Sequence, residues 1–399
     1  MLSNPPLIDT LNWNIADYSS LKAHINPVQD TIQRVDWDNI CRLASSLNNG
    51  LPCVFLDKTT NGLNNLVRLL QFSDQTRWIA RISLRKSTGD LSKLRSEVDT
   101  MQLIKERSDL PVPRLFAYEV DEKNPIGAPF ILMEFLPGNT AMDSAGGYDV
   151  HRGRIPSAYR QGFYRSVAKC HVQMTALRFP KIGTIFKRED GEYDIGPFPD
   201  IGGPFDTATS FFEAWAEHTK FPLGKDKILL GMRGGPADQV LTAIKEFPSR
   251  IKGMASRLSH NDHGPFPLSH ADFFHSNIVV DKDFEVLGII DWEGAHTLPL
   301  ELITFPEFLN AMPTSFDLPE NYDEDGQPVD EEGKERWKSR NNYAEMVKLA
   351  EDEDNVLSTC LSNEKGLALA YSLTSYQNGK LGFYDKVTDE LDMAGKIAD

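Results

Sequence analysis

The stretch that most restricts what this chain can fold into is Leu268–Gly294, LSHADFFHSNIVVDKDFEVLGIIDWEG. Two short runs rich in β-branched residues, Ile278–Val280 and Val286–Ile290, flank the polar segment Asp281–Glu285, which is the pattern of a β-hairpin. A hairpin returns Asp291, just past its second strand, to the neighbourhood of Asn277, just before its first. Two oxygen donors suited to a hard cation then stand side by side, with Asp272 a few residues upstream as a third. His270, Asp272 and Asn277 make the spacing H-x-D-x-x-x-x-N.

That donor set suits phosphoryl transfer. Magnesium takes carboxylate and amide oxygens and is commonly held by one or two protein ligands plus nucleotide phosphates, so Asn277 and Asp291 suffice as its ligands. A separate carboxylate must orient or accept the proton of the attacking hydroxyl, and Asp272 is the candidate. The spacing is also the catalytic-loop signature of protein-kinase-like enzymes, with Asp291-Trp292-Glu293 standing where kinases carry D-F-G. With His270-Ala271-Asp272 instead of H-R-D and Ile290-Asp291-Trp292-Glu293 around the later aspartate, the segment resembles the aminoglycoside phosphotransferase family of small-molecule kinases, especially its fungal-type members. The likeness is strongest over Leu268–Glu293 and extends loosely from Trp37 to Pro299.

The resemblance implies an α+β, two-lobed protein-kinase-like fold: a small N-terminal antiparallel sheet lobe at 35–136, and a larger, mainly helical C-terminal lobe at 137–399. Residues 1–34 show no clear period and read as an arm. Asp36–Leu47 has helical spacing stopped by Asn48-Asn49-Gly50. Cys53–Leu56 and Val67–Phe72 read as strands joined by a polar turn containing Gly62, a sparse counterpart of the kinase glycine-rich loop. Trp78–Leu84 alternates as a strand, with Trp78, Ala80, Ile82 and Leu84 on one face and Arg81 on the other. The resemblance puts Arg81 in place of the kinase V-A-I-K lysine, as a fixed cation for nucleotide phosphates. It puts Glu97, on the helix Leu91–Arg107, in place of the glutamate that pairs with that cation. On the same helix, Asp99 and Glu106 read as solvated.

Strands at Leu115–Val120 and Phe130–Phe135 lead to Leu136-Pro137-Gly138, where kinase-like folds hinge and where the backbones of Glu134 and Leu136 would meet adenine. Beyond it, Ser157–Phe179 reads as a long buried helix in which His171 is structural. Gly191–Asp206 is too rich in Gly and Pro to be regular, and Phe211–His218 and Asp238–Ile251 are further helices. A helical C-terminal region carries acidic stretches at 319–335 and 351–354, read as solvated surface or as a rim attracting a cationic acceptor.

With 40% hydrophobic and 25% charged residues the chain is an ordinary globular protein, and its net charge of −16 argues against nucleic acid or an anionic membrane surface as partner. Four scattered cysteines, Cys41, Cys53, Cys170 and Cys360, make no metal or disulfide framework. No apolar stretch approaches about 18 residues. The N-terminus lacks both the basic-then-apolar and the Arg-rich, acid-poor patterns of targeting segments, so a cytoplasmic location is expected.

Two rival readings compete. A metal-dependent hydrolase would use His260, Asp262, His263, His270, Asp272 and His275, but it leaves Asn277, Asp291, Arg81 and Glu97 without a role. A kinase-like module that binds nucleotide or a partner without catalysis is favoured by the sparse glycine loop and opposed by the intact Asp272, Asn277 and Asp291. The Asp281-Lys282-Asp283 run reads as turn chemistry. The reading that accounts for most residues is transfer of the ATP γ-phosphate to a hydroxyl of a small molecule, a cationic one being compatible with the acidic composition. It uses magnesium on Asn277 and Asp291 and Asp272 as base, with His270 bracing the loop and Glu293 supporting the metal site.

Overall fold

The computed structural model describes residues 27–62, 64–84, 88–232, 235–352 and 356–393, and the chain divides into two units, Met1–Phe163 with His275–Gly294 and Tyr164–Phe274 with Ala295–Asp399. In the first, α1 (Pro27–Arg34) and α2 (Trp37–Leu47) precede five strands: β1 (Cys53–Asn61), β2 (Asn65–Phe72), β3 (Arg77–Ser83), β4 (Leu115–Glu119) and β5 (Phe130–Glu134). They form one antiparallel sheet in the order β1-β2-β3-β5-β4. Most of the expected arm, residues 1–26, lies outside the described residues; its last part is the helix α1. The start of α2 is fixed by Asp36, whose carboxylate accepts from the Asn39 N–H at 2.9 Å. Its end is fixed by Asn49 and Gly50 at positive φ.

Alternation along β3 buries Trp78, Ala80, Ile82 and Leu84 in a core shared with Ile40, Leu66, Leu70, Phe72 and Leu132. The other face of β3 is buried too, since Ile79 and Arg81 are also inaccessible. The reason is the helix α3 (Thr88–Arg107), which buries Glu97, Val98, Asp99, Thr100, Met101, Leu103 and Ile104. Asp99, expected to be solvated, is therefore inside, where Arg95 one turn earlier reaches it at 3.1 Å.

The predicted hairpin is present. β11 (Ile278–Val280) pairs antiparallel with β12 (Val286–Ile289), and β6 (Asn139–Thr140) adds a third strand in the order β12-β11-β6. Asp281 makes the turn, its Oδ1 accepting from the N–H groups of Asp283 and Glu285, both at 2.9 Å. Gly138 is indispensable here, because a Cβ on it would stand 2.0 Å from the Val280 carbonyl oxygen. At Gly288 on β12 a Cβ would meet the end of the Leu136 side chain at 2.5 Å, a flexible tip that can turn aside. At Gly138 the segment 136–138 and the hairpin are held at a distance that only glycine allows. A short helix α4 (Gly147–His151) follows.

The second unit takes α5 (Ser157–Ala176) from Tyr164 onward. A sheet of β7 (Arg178–Phe179), β8 (Gly183–Lys187), β9 (Tyr193–Gly196), β10 (Phe266–Ser269) and β13 (His296–Thr297) runs in the order β7-β10-β13-β8-β9. Two readings are corrected here. The helix expected to run to Phe179 stops at Ala176, because Arg178 and Phe179 pair with Pro267 and Phe266. The segment expected to be irregular contains β9, whose pairing with β8 fixes four residues before the Gly and Pro positions take over. Helices α6 (Ala208–His218), α7 (Lys225–Met232), α8 (Ala237–Met254), α9 (Glu331–Ala350), α10 (Leu357–Ser362), α11 (Glu364–Gln377) and α12 (Tyr384–Met393) make up most of the rest. Phe212, Trp215, Phe247, Leu369, Tyr376 and Tyr384 dominate their core. No helix among the described residues is long and apolar enough to cross a membrane. All four cysteines are free thiols, although Cys41 and Cys53, twelve residues apart in sequence, meet where the Cys53 thiol donates to the Cys41 carbonyl at 3.3 Å.

Candidate functional site

Arg81 is the cation around which the first unit's polar residues gather. It projects from β3 into a buried ion pair with Glu97 of α3, and its Nη1 lies 3.6 Å from Oδ1 of Asp291. Arg81 and Glu97 are 8% and 1% exposed as residues. Burial works against the Arg81 charge, but Glu97 first, then Asp291 and Glu293, outweigh it and hold the guanidinium pKa above its usual value. Burial, with help from Asp291 and Glu293, pushes the Glu97 carboxyl up against the pull of Arg81. One cation thus faces three carboxylates.

The hairpin places the rest. The Ile290 N–H donates to the Asn277 carbonyl at 2.9 Å, so the residues flanking the two strands are locked together as the spacing predicts. Asp291 adopts φ +63°, the left-handed region that aspartate tolerates at a cost of about 1 kcal/mol. Its side chain is more than a third exposed, while Oδ1 itself is inaccessible and accepts no hydrogen bond; Oε1 of Glu97 is in the same state. Buried carboxylate oxygens without donors are costly, and a hard cation is the partner such oxygens suit. Asn277 is buried, and an amide oxygen is a donor type that a hard cation also takes.

Glu134 donates its N–H to the Arg114 carbonyl at 2.8 Å and accepts from the Arg114 N–H through its carboxylate. The Leu136 carbonyl accepts from Gly138 at 2.8 Å. Gly62 stands exposed near the tip of the β1–β2 hairpin with no atom within 4 Å of an added Cβ and no positive φ. The fold itself therefore does not require glycine at that place.

In the second unit, His270 is buried and Asp272 exposed. The His270 ring nitrogen Nδ1 accepts from the Asp272 N–H at 3.1 Å, which fixes the backbone that carries the carboxylate. Sequence reading missed Glu307. Its N–H donates to the Phe273 carbonyl at 2.9 Å. Shielding raises its carboxyl pKa, Asn310 pulls it back, and the charge of Asp272 adds to the rise. No sequence signal marks it, since it follows a proline in a stretch without period. Two residues of the hydrolase reading are held in structural bonds, one through its side chain and one through its backbone. Asp262 accepts from the Thr209 N–H at 2.7 Å at the start of α6, and the His260 N–H is held by Glu301. Among the described residues no three His, Cys, Asp or Glu side chains converge as a metal-holding group.

A family profile described as the phosphotransferase enzyme family matches residues 59–300, more than half of the chain. The chain belongs to that family. Its antiparallel sheet in the first unit and its mainly helical second unit agree with the α+β class that the sequence implies. Among curated proteins it is similar to altered inheritance of mitochondria protein 9, mitochondrial, of Saccharomyces cerevisiae, at 21% identity over 299 residues, 58% of this chain and 45% of that protein. It is also similar to the protein of that name in Kluyveromyces lactis, at 22% identity over 284 residues, 58% of this chain and 45% of that one. The chain spans about half the length of the curated relatives it matches. Their names, which place both relatives in mitochondria, overturn the cytoplasmic expectation. Among solved structures the chain is similar to a putative aminoglycoside phosphotransferase from Ralstonia eutropha, with TM-score 0.45, 14% identity, and 89% of this chain and 98% of that one covered. It is also similar to a type I macrolide 2'-phosphotransferase, with TM-score 0.40, 13% identity and 91% and 98% covered.

Proposed function

We propose that this phosphotransferase family member transfers the γ-phosphate of ATP to a hydroxyl of a small molecule. The observation that carries the reading is the buried Arg81–Glu97 pair beside Asp291, with donor-less carboxylate oxygens next to a fixed guanidinium. Glu97 holds Arg81 in one rotamer, and Arg81 presents its remaining N–H groups to the nucleotide phosphates. Asn277 and Asp291 hold magnesium, which when bound neutralises phosphate charge. Adenine is met by the Glu134 carbonyl and the Leu136 N–H, because the opposite backbone groups of both residues already serve Arg114 and Gly138. The β1–β2 hairpin with Gly62 covers the phosphates.

Asp272 orients the acceptor hydroxyl and takes its proton, and His270 braces it from behind. Five chain steps separate Asp272 from Asn277, which bounds their separation at about 18 Å whatever the loop does. Most of the rate comes from positioning and charge neutralisation, because this chemistry leaves the protein little covalent work.

The test is ADP release with magnesium and a panel of hydroxylated amines, sugars, nucleosides and organic acids. Asp272→Ala should lower turnover at least about 10²-fold, and Asp291→Ala should abolish the magnesium-dependent part. Turnover at wild-type level in either variant refutes the assignment. Magnesium-dependent ATP binding with no turnover on any acceptor would favour the binding-module reading.

A further inference from the structure

The second unit holds a cavity of about 680 Å³, within the range of small-molecule sites. Arg340 of α9, Lys365 of α11, Ser362, Asn341 and Trp337 are in its wall, with Phe305 beneath the arginine. The Arg340 guanidinium carbon lies 4.5 Å from the centre of the Phe305 ring. Among the described residues Arg340 forms no ion pair and no hydrogen bond, and burial lowers its pKa against the weaker pull of Glu364 and Tyr322. Arg340 is half-buried, with one ring face against it and no acceptor from the fold, which leaves its N–H donors to whatever occupies the cavity. Arg68 shows the alternative, a guanidinium with two ring faces, Trp37 and Phe55 each 4.5 Å away. Arg340 has one ring and a cavity. Glu364 and Glu390 also reach the cavity, but both are exposed, where water and salt screen them.

We infer that this cavity binds an organic anion, a carboxylate on an apolar body, with Arg340 taking the carboxylate in its two-pronged fork. Lys365 adds a second positive charge, and Phe305 and Trp337 provide the apolar wall. Asp272 does not line the cavity, but one wall residue is tied to its loop through the chain. Phe305 is two residues from Glu307, whose N–H is bonded to Phe273. Taking that occupant to be the acceptor, a hydroxylated carboxylate, rests on the phosphotransfer reading. It replaces the cationic acceptor that the acidic composition suggested.

The experiment measures thermal shift and tryptophan fluorescence of the full chain with 4-(2-hydroxyethyl)benzoate and with its neutral twin, 4-(2-hydroxyethyl)benzamide. The carboxylate should bind at least about tenfold more tightly than the amide, the worth of one charge-assisted pair. Arg340→Met should erase that preference while leaving the amide's affinity unchanged, Arg340→Lys should keep part of it, and Ser362→Trp, filling the cavity without touching the arginine, should weaken both ligands. Equal affinity for the two molecules, binding of neither, or a preference that survives Arg340→Met overturns the inference. Carboxylate binding without magnesium-ATP turnover on any acceptor sinks the phosphotransfer reading and leaves the cavity assignment standing. Turnover on other acceptors with no carboxylate preference does the reverse.

Discussion

Arg81 is buried and Arg340 half-buried, and the protein has treated the two arginines in opposite ways. Around Arg81 the chain supplies the counter-charge itself, through Glu97 in direct contact and Asp291 at 3.6 Å. Around Arg340 it supplies one aromatic face and a cavity. Neither can shed its proton in the accessible pH range. The first is a charge held in place for something that arrives between fixed partners, and the second is a charge whose partner must come from outside. A self-paired cation positions, whereas an unpaired one selects.

The comparison is tested most strongly by Arg81→Met. Removing the cation leaves Glu97 buried and uncompensated, so the variant should lose roughly 3–5 kcal/mol in urea unfolding. A loss below about 1 kcal/mol would mean that Glu97 escapes its burial by protonation or movement, and the two arginines would then differ less than the structure says.

His171 gives the third outcome, a buried base that yields. It lies on α5 against Tyr343, with its Nδ1 3.1 Å from the phenol oxygen, and burial pulls its pKa from 6.5 to about 3. Because the folded value lies below the unfolded one, the contribution is complete above pH 6.5 and is lost as pH falls toward 3. Between pH 6.5 and 4 that amounts to about 3 kcal/mol. Urea midpoints measured across this window should fall with acid in the wild type and fall less in His171→Gln. Equal slopes would show that the ring finds a proton-stabilising partner on acidification.

How far these features were legible follows from the range of the interactions that create them. The hairpin could be read because both strands and the Asp281 turn lie within thirteen residues, from Ile278 to Ile290, and the β-branched runs leave little other choice. Period two put Arg81 on one face of its strand, and the family resemblance supplied its pairing with Glu97. The end of α5 could not be read, because the partners that turn Arg178 and Phe179 into a strand come from Phe266 and Pro267, far along the chain. Asp99 was misread as solvated for a similar reason: the helix α3 is buried over more than its apolar stripe, and only packing reveals that. Arg340 left no signal at all. It sits in a helix of strongly polar sequence, and nothing local distinguishes it from its neighbour Arg336, which is exposed and paired with Glu332 at 3.1 Å.

The smallest expected effect is the most discriminating. Replacing Arg340 by methionine removes a poorly solvated charge but keeps the bulk that covers Phe305. The lost cation–π contact costs about 0.5–1 kcal/mol, and the relieved desolvation offsets it, so unfolding of the free protein should change by no more than about 1 kcal/mol in either direction. The same kind of substitution at Arg81 should cost several times more, since there it strands a carboxylate. Added carboxylate ligand should then separate wild type from Arg340→Met, because only the protein that binds it gains stability, about 2.7 kcal/mol at a hundredfold excess over the dissociation constant. A loss of several kcal/mol in Arg340→Met without ligand would show that the guanidinium has a partner within the fold, and the contrast between the two arginines would collapse.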